Sequence, residues 1–265
     1  MMRESEWVAL SAWYDEASAI RYVAINNPPL GVLNQAVRQE LGTLLLRVQA
    51  DAAVRCVVFN SGPRGFCAGA DLHEYAMRSD LAVAREHVNN AHRMILALVE
   101  LDVPTIASIR GACMGGGLEL ALGCSYRVAA RSAVLGLPEV TRGAWPGTGG
   151  SVLLTRQLRP SLAKRLLFTG ETLDADTACR LGVVDEVVDD DALDERVQAL
   201  ALRWAAQPRS SMQTMSRLVD RDFRAHFRSH LQYEAECFVL AYQLPAAREG
   251  SQAFFEKRSP RWQQA

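Results

Sequence analysis

A chain of 265 residues, nearly half of them apolar, can bury one large α/β core or two small ones and does not have the composition of a disordered protein. Its 29 basic and 30 acidic residues are interspersed and leave a formal net charge of −1, which excludes a broad electrostatic footprint for nucleic acid or a membrane surface. Lysine occurs only as Lys164 and Lys257, and arginine carries the rest of the positive charge.

Taken in chain order, Met1–Leu10 contains Arg3, Glu4 and Glu6 and has no apolar targeting core. Nowhere does an uninterrupted apolar run approach the ~18 residues needed to span a bilayer. A cytoplasmic, reducing location with no membrane partner is therefore expected. Ile20–Ile25 alternates around Val23 and reads as a strand, and Asn34–Val48 places Val37, Leu41, Leu44, Leu45 and Val48 at helical spacing. Cys56–Phe59 is a short apolar run leaving into Asn60-Ser61-Gly62-Pro63, as a buried strand does. Leu81–Leu101 is again helical, with a stripe of Val88, Met94, Ile95, Leu98 and Val99. Thr105–Ile109 reads as a strand running into the glycines of 111–117, Leu118–Gly123 as helix, and Tyr126–Ala130 and Ala133–Leu137 as strands. This alternation predicts an α/β fold with mainly parallel pairing. From Leu193 onward the pattern is helical, broken at Pro208 and Pro245, so a core of residues 1–207 is expected to precede a helical region of 208–265. No repeat of fixed period stands out.

The six cysteines (Cys56, Cys67, Cys113, Cys124, Cys179 and Cys237) lack CxxC spacing and lie mostly in apolar or glycine-rich stretches, as reduced structural cysteines do. Neither a zinc site nor a disulfide framework is expected from them.

Three constellations can carry chemistry. Gly65-Phe66-Cys67-Ala68-Gly69-Ala70-Asp71-Leu72 follows a strand and a Gly/Pro loop, and its small residues let backbone amides approach a ligand closely. Gly111-Ala112-Cys113-Met114-Gly115-Gly116-Gly117-Leu118-Glu119 sets three glycines between strand and helix, where unpaired N–H groups at the positive end of the dipole can stabilise a developing negative charge. Neither GxGxxG nor a phosphate-loop lysine is present, so both nucleotide signatures fail. Glu119 and Glu139 are the third. Each alone could be a dipole-favoured or an exposed carboxylate, but beside two sets of amide donors they supply what acid–base chemistry next to a carbonyl needs.

Downstream come Leu137-Pro138-Glu139, Pro146-Gly147-Thr148-Gly149-Gly150, Phe168-Thr169-Gly170-Glu171, Ala175 to Ala178, Leu181-Gly182-Val183-Val184-Asp185-Glu186-Val187-Val188 and Phe254-Phe255-Glu256-Lys257-Arg258-Ser259-Pro260. With Phe66–Leu72 and Gly115–Glu119, these resemble in order and spacing the crotonase (enoyl-CoA hydratase/isomerase) superfamily, over about Val23 to Pro260.

That resemblance implies a spiral of ββα repeats with a C-terminal helical region that drives formation of a homotrimer or hexamer. It implies that the N–H groups of Ala70 and Gly116 form an oxyanion hole for an acyl-CoA thioester. Glu119 would activate water for attack at C3, and Glu139 would donate to C2. No metal or further cofactor is implied, since CoA belongs to the substrate. Ala68, Gly69, Ala70, Asp71, Leu72 and Gly116 would line the acyl-CoA site, with Trp145 at the acyl end and Lys257 toward a ligand, often a neighbouring subunit's. The isomerase branch commonly uses only the carboxylate at the Glu139 position, and dienoyl isomerases carry a further acid where this chain has Gly147. Two retained glutamates therefore favour hydration of a trans-2-enoyl-CoA, or its reverse. Isomerisation or acyl-CoA hydrolysis on the same fold is the second reading. An RNA-binding or scaffolding relative would want a lysine-rich first helix, and Asn34–Val48 offers only Arg38 and Arg47 as basic residues. Three departures stand out: Asn26–Asn34 lacks the family's frequent basic residue, Ser125 replaces a common Asp, and Trp145 an ordinarily smaller residue. The five histidines offer no catalytic triad, and His87 and His92 read as surface or core residues.

Overall fold

A computed structural model describes residues 6–262 apart from 63, 75–77 and 79. The chain opens with an antiparallel pair, β1 (Leu10–Asp15) and β2 (Ile20–Ile25), in which Trp13 faces Tyr22 and the two rings stack at 5.0 Å. Then follow α1 (Gln35–Ala50), β3 (Cys56–Asn60), β4 (Gly65–Cys67), α2 (Leu81–Val99), β5 (Thr105–Ile109), β6 (Ala112–Met114), α3 (Gly116–Gly123), β7 (Tyr126–Ala130) and β8 (Val134–Gly136). The second half contains α4 (Gly150–Gln157), α5 (Pro160–Thr169), β9 (Thr172–Asp174), α6 (Ala175–Leu181), β10 (Glu186–Val188), α7 (Leu193–Ala205), α8 (Arg209–Ala241) and α9 (Pro245–Phe255).

Two sheets result, one of order β1-β2-β3-β5-β7-β10 and a smaller one of order β4-β6-β8-β9. From β3 to β8, successive strands go alternately to the large sheet and the small one. β3–β4–α2, β5–β6–α3 and β7–β8–α4 are thus three turns of a ββα spiral, all parallel to one another within each sheet. A further turn begins at β2, whose small-sheet strand has shrunk to a single parallel bridge between Leu33 and Ala70. The expected spiral is present. No period shows in the sequence because the turns carry helices of 16, 19 and 8 residues.

Period-two alternation explains why the strands read as unbroken apolar runs. Cys56 and Val58 of β3 face Leu193, Val197 and Ala201 of α7, while Val57 and Phe59 face the main core with α1 and α2. All six cysteines are free, and burial pushes the thiols of Cys56, Cys67 and Cys124 up to about 12, so these behave as small apolar residues.

Elements expected from the sequence differ from those observed mainly at their ends, while β1, β4, β6, β9, β10 and α4–α6 are not among the expected elements. Asn34 is the N-cap of α1, its side chain accepting from the Val37 N–H at 2.9 Å, rather than a helical residue. The helix expected from Leu118 begins at Gly116: Gly115, at φ 52°, turns the chain, and the next two glycines are already helical. The last strand shortens to Val134–Gly136 because Leu137 leads into a 3₁₀ turn over Pro138–Arg142. Pro208 and Pro245 mark helix starts, as the sequence indicates. Among the described residues no helix is long and apolar enough to cross a membrane.

Candidate active site

The small sheet determines where the site can be. Its neighbouring strands β4, β6 and β8 run parallel, and each delivers one constellation just past its carboxyl end: Ala70 after β4, Gly116 and Glu119 after β6, and Glu139 after β8. The carboxyl end of a parallel sheet is where α/β folds open crevices. Three segments far apart in sequence therefore meet because consecutive spiral turns stack.

Close backbone approach makes the meeting tight. A Cβ on Gly117 would stand 2.4 Å from the Cys67 carbonyl oxygen, so any larger residue would push the helix off the loop that carries Ala70. A Cβ on Gly116 would lie 3.8 Å from Glu119 Oε2 and 3.9 Å from the Ala70 nitrogen, and one on Gly115 2.8 Å from Glu139 Oε1. The Ala70 amide and one oxygen of each carboxylate thus all lie within 4 Å of the Cβ positions of two adjacent glycines, Gly115 and Gly116. The Gly116 N–H is the first of α3 and precedes that helix's own hydrogen-bond ladder. Around Ala70, the Leu33 N–H donates to the Gly69 carbonyl and the Asp71 N–H to the Leu33 carbonyl, which turns the Ala70 N–H the other way.

Both glutamates are buried, Glu119 to 2% exposure and Glu139 to 8%. Glu119 does not cap its own helix. Its Oε1 accepts the N–H groups of Thr148 and Gly150, each at 2.7 Å, from the loop that enters α4. Burial, then the charges of Glu139 and Glu234, push its pKa well above the usual carboxylate range, while those two amides pull it down. Burial likewise lifts Glu139 to about 7, against the pull of its own backbone amide and of Arg142, and Glu139 Oε2 has no hydrogen-bond partner among the described residues. Two carboxylates so placed do not both ionise freely near neutrality, so the arrangement can hold a proton on one side and accept one on the other.

The remaining expected residues divide into two groups. Ala70, Leu72 and Trp145 pack together against Ala84, Val88, Phe238, Val239 and Tyr242, an apolar wall adjoining the Ala70 amide. Trp145 is thus both a packing residue and part of that wall. Ala68 donates its N–H to Leu30, Gly69 to Cys67 Sγ, and Asp71 accepts the His73 N–H, so these three shape the loop. Lys257, at φ 54° just after α9, is exposed and is not brought to the carboxylates. α9 does lean on the Leu72–Glu74 turn of its own chain, through Phe255 against His73 at 5.8 Å. Among the described residues no cluster of side chains could hold a metal ion.

His92 is core, not surface: its Nε2 sits 3.1 Å from Glu234 Oε1. His87 is largely buried, stacked on Phe238 at 5.4 Å with Nδ1 3.4 Å from Glu74. Glu234, on α8, is the buried carboxylate that sequence reasoning passed over. One signal could have found it, a charge at the third place of the helical stripe Phe227, Leu231, Glu234, Phe238.

The sequence pattern of the enoyl-CoA hydratase/isomerase family matches residues 15–265. A probable enoyl-CoA hydratase of Bacillus subtilis is 32% identical over 96% of this chain and 98% of its own. The crotonyl-CoA hydratase of Syntrophomonas wolfei is 32% identical over 92% of this chain and 94% of its own. Among solved structures, carnitinyl-CoA hydratase from Mycobacterium avium superposes with a TM-score of 0.85 at 33% identity, covering 97% of this chain and 99% of that one. With the stacked spiral turns, the paired buried glutamates and likeness over nearly its whole length, the chain belongs to the enoyl-CoA hydratase/isomerase family.

Proposed function

We propose that the protein adds water across the double bond of a trans-2-enoyl-CoA to give a 3-hydroxyacyl-CoA, and catalyses the reverse dehydration. The observation that carries this reading is the pair of buried carboxylates that approach Gly115 and Gly116 beside the Ala70 amide. The hydratase names of its relatives agree with it.

The thioester carbonyl lies with its oxygen between the Ala70 and Gly116 N–H groups, each such donor typically contributing about 2.7–4 kcal/mol toward the enolate. Glu119 takes a proton from water as the water oxygen bonds to C3. The double-bond electrons move to the enolate, and Glu139 gives its proton to C2. Water is added whole, and the proton gained by Glu119 replaces the one Glu139 gives up.

Hydrogen bonds support this division of roles. Two short amide bonds favour an anionic Glu119, whereas the partnerless Glu139 Oε2 is free to bear a proton. Burial weighs the other way, and more heavily on Glu119. Isomerisation through a third acid is disfavoured sterically, since a Cβ at Gly147 would meet the Phe238 ring at 2.5 Å.

Reaction in deuterium oxide with heavy-oxygen water tests the assignment. One deuterium at C2 and the heavy oxygen at C3 support it, and label at C4 would make the enzyme an isomerase instead.

The same reading includes assembly as a homotrimer or a hexamer of two trimers. It is supported by the apolar surface of α8, where Leu218 and Val219 are 71% and 75% exposed beside Met215. Sedimentation equilibrium at micromolar concentration tests it; a monomer there contradicts it.

A further inference from the structure

The loop Gly147–Gly150 is held by two carboxylates at once. Thr148 and Gly150 send their N–H groups to Glu119 Oε1, while the intervening Gly149 sends its own, at 2.8 Å, to Glu234 Oε1 on α8. The alternation is possible because Gly149, at φ 84°, lies in the left-handed region and reverses the direction of its amide. α8 presses on this loop with a single stripe. A Cβ on Gly149 would meet the Phe227 ring at 2.7 Å, one on Gly147 the Phe238 ring at 2.5 Å, and Glu234 stands between those two rings along the helix.

Apolar packing does not explain a glutamate there. Glu234 is 4% exposed, and an ionised carboxylate in an apolar seam costs several kcal/mol unless it is fully partnered. Its hydrogen bonds all fall on Oε1, and Oε2 has charged or polar neighbours but no hydrogen-bond partner among the described residues. Besides the Gly149 amide its neighbours are His92 of α2, with Nε2 3.1 Å from Oε1, and His230 of α8, with Nε2 3.6 Å from Oε2. His230 Nε2 also meets Ser151 Oγ at 2.9 Å. Serine, imidazole and carboxylate here do not make a nucleophilic triad, because both contacts use the same ring nitrogen. Burial would raise Glu234, but the His230 and His92 imidazoles and the Gly149 amide outweigh it and hold the group below the usual carboxylate range, so it is anionic at neutral pH. Its charge in turn is one of the causes that raise Glu119 and Glu139.

We propose that Glu234, supported by His92 and His230, is a positioning residue of this enzyme: through Gly149 it fixes the amide strap that aims Glu119, and its buried negative charge helps keep a proton on the Glu119–Glu139 pair. This rests on the hydratase reading for its kinetic consequence and not for its structural one. The strap leaves Glu119 Oε2 as the oxygen turned toward Gly116.

Two variants separate the parts. Glu234→Gln keeps an acceptor for the Gly149 N–H and removes the charge, whereas Glu234→Leu removes both. Hydrogen exchange of the peptide spanning residues 147–150, infrared titration of the buried carboxyls, and the pH profile of hydration are measured on both variants and wild type. With the charge gone, both carboxylates ionise more easily. Glu234→Gln is therefore expected to move the carboxyl titration and both limbs of the rate profile to lower pH by roughly half a unit or more, with exchange as slow as wild type. Glu234→Leu is expected to speed exchange of the strap amides and to lower kcat about tenfold or more at little-changed KM, as misplacement of a catalytic group does. If both variants lower Tm yet leave exchange, titration and kcat unmoved, Glu234 is structural only and the proposal falls. A titration that stays in place or moves to higher pH in Glu234→Gln overturns its electrostatic half. Should wild type hydrate no enoyl-CoA while exchange and infrared titration shift as stated, the hydratase reading fails and the positioning role stands.

Discussion

Replacing Glu139 by glutamine exchanges an ionisable buried group for a neutral one of the same shape, and its effect on stability can be worked out independently of its effect on rate. In the fold Glu139 titrates near 7, against 4.5 for an unburdened glutamate, because burial disfavours its charge. The folded pKa is raised, so the folded state holds this proton more tightly than the unfolded chain does. Stability associated with it is present at low pH and is lost as pH rises through 7. At about 1.36 kcal/mol per pH unit this amounts to about 3 kcal/mol above pH 7 and less than about 1 kcal/mol at pH 5. Glu139→Gln is free of that penalty. Its Tm is expected to exceed wild type by on the order of 6–12 °C at pH 8, with the gap mostly closing at pH 5. Thermal unfolding at equal protomer concentration measures both. A gap independent of pH, or a wild type more stable than the variant at pH 8, would refute the claim that Glu139 is held in a place hostile to its charge. The same variant should lose hydration activity by orders of magnitude, so stability and function move in opposite directions.

Three further outcomes follow from particular contacts. Gly147→Ala puts a methyl 2.5 Å from a Phe238 ring that is itself stacked on His87, and should cost about 1–3 kcal/mol, read as a fall in Tm; an unchanged Tm would contradict that packing. Burial holds His87 down to about 3 against 6.5 when unfolded, so between those values the unfolded chain binds a proton that the fold refuses, and stability drops as pH falls. Relative to wild type, His87→Gln should therefore gain Tm steadily as pH is lowered from 7 to 4; a constant difference would show His87 to be freely protonated. Asp102 accepts from Arg217 at 2.7 Å and Arg224 at 2.8 Å and so ties α8 to the core, and Asp102→Ala should lower stability by about 2 kcal/mol in urea unfolding.

Much of this molecule is legible in its sequence where local pattern and burial coincide. β2, β5 and β7 begin and end where the sequence places them, β2 by alternation and the other two as short runs buried almost throughout. β4 and β6, three residues each within glycine-rich turns, are too short to show a period and read only as motifs. α4, α5 and α6 follow one another at short intervals, with Gly149 and Pro160 at two of their starts, and show no long stripe. The candidate site residues are picked out through likeness and amide-donor logic, which say nothing of their environments. Glu139 follows an ordinary apolar strand and could equally have been a surface carboxylate; it is buried because the 3₁₀ turn carrying it lies under α9, where Gly250 abuts Arg142. The stripe of α8 could mark Glu234 as buried but not what it holds, since its meaning depends on Gly149, 85 residues away.

The central claim is that Glu119 and Glu139 jointly hydrate an enoyl thioester held by the Ala70 and Gly116 amides. Loss of the conjugated enoyl absorbance, followed with crotonyl-CoA and with longer, branched and aromatic enoyl-CoAs, tests it directly in wild type, Glu119→Gln and Glu139→Gln. The account predicts that wild type hydrates at least one of these substrates and that each variant, still folded, is slower by about 10²–10⁴-fold. No loss of absorbance with any substrate, or full turnover by Glu119→Gln, would contradict it.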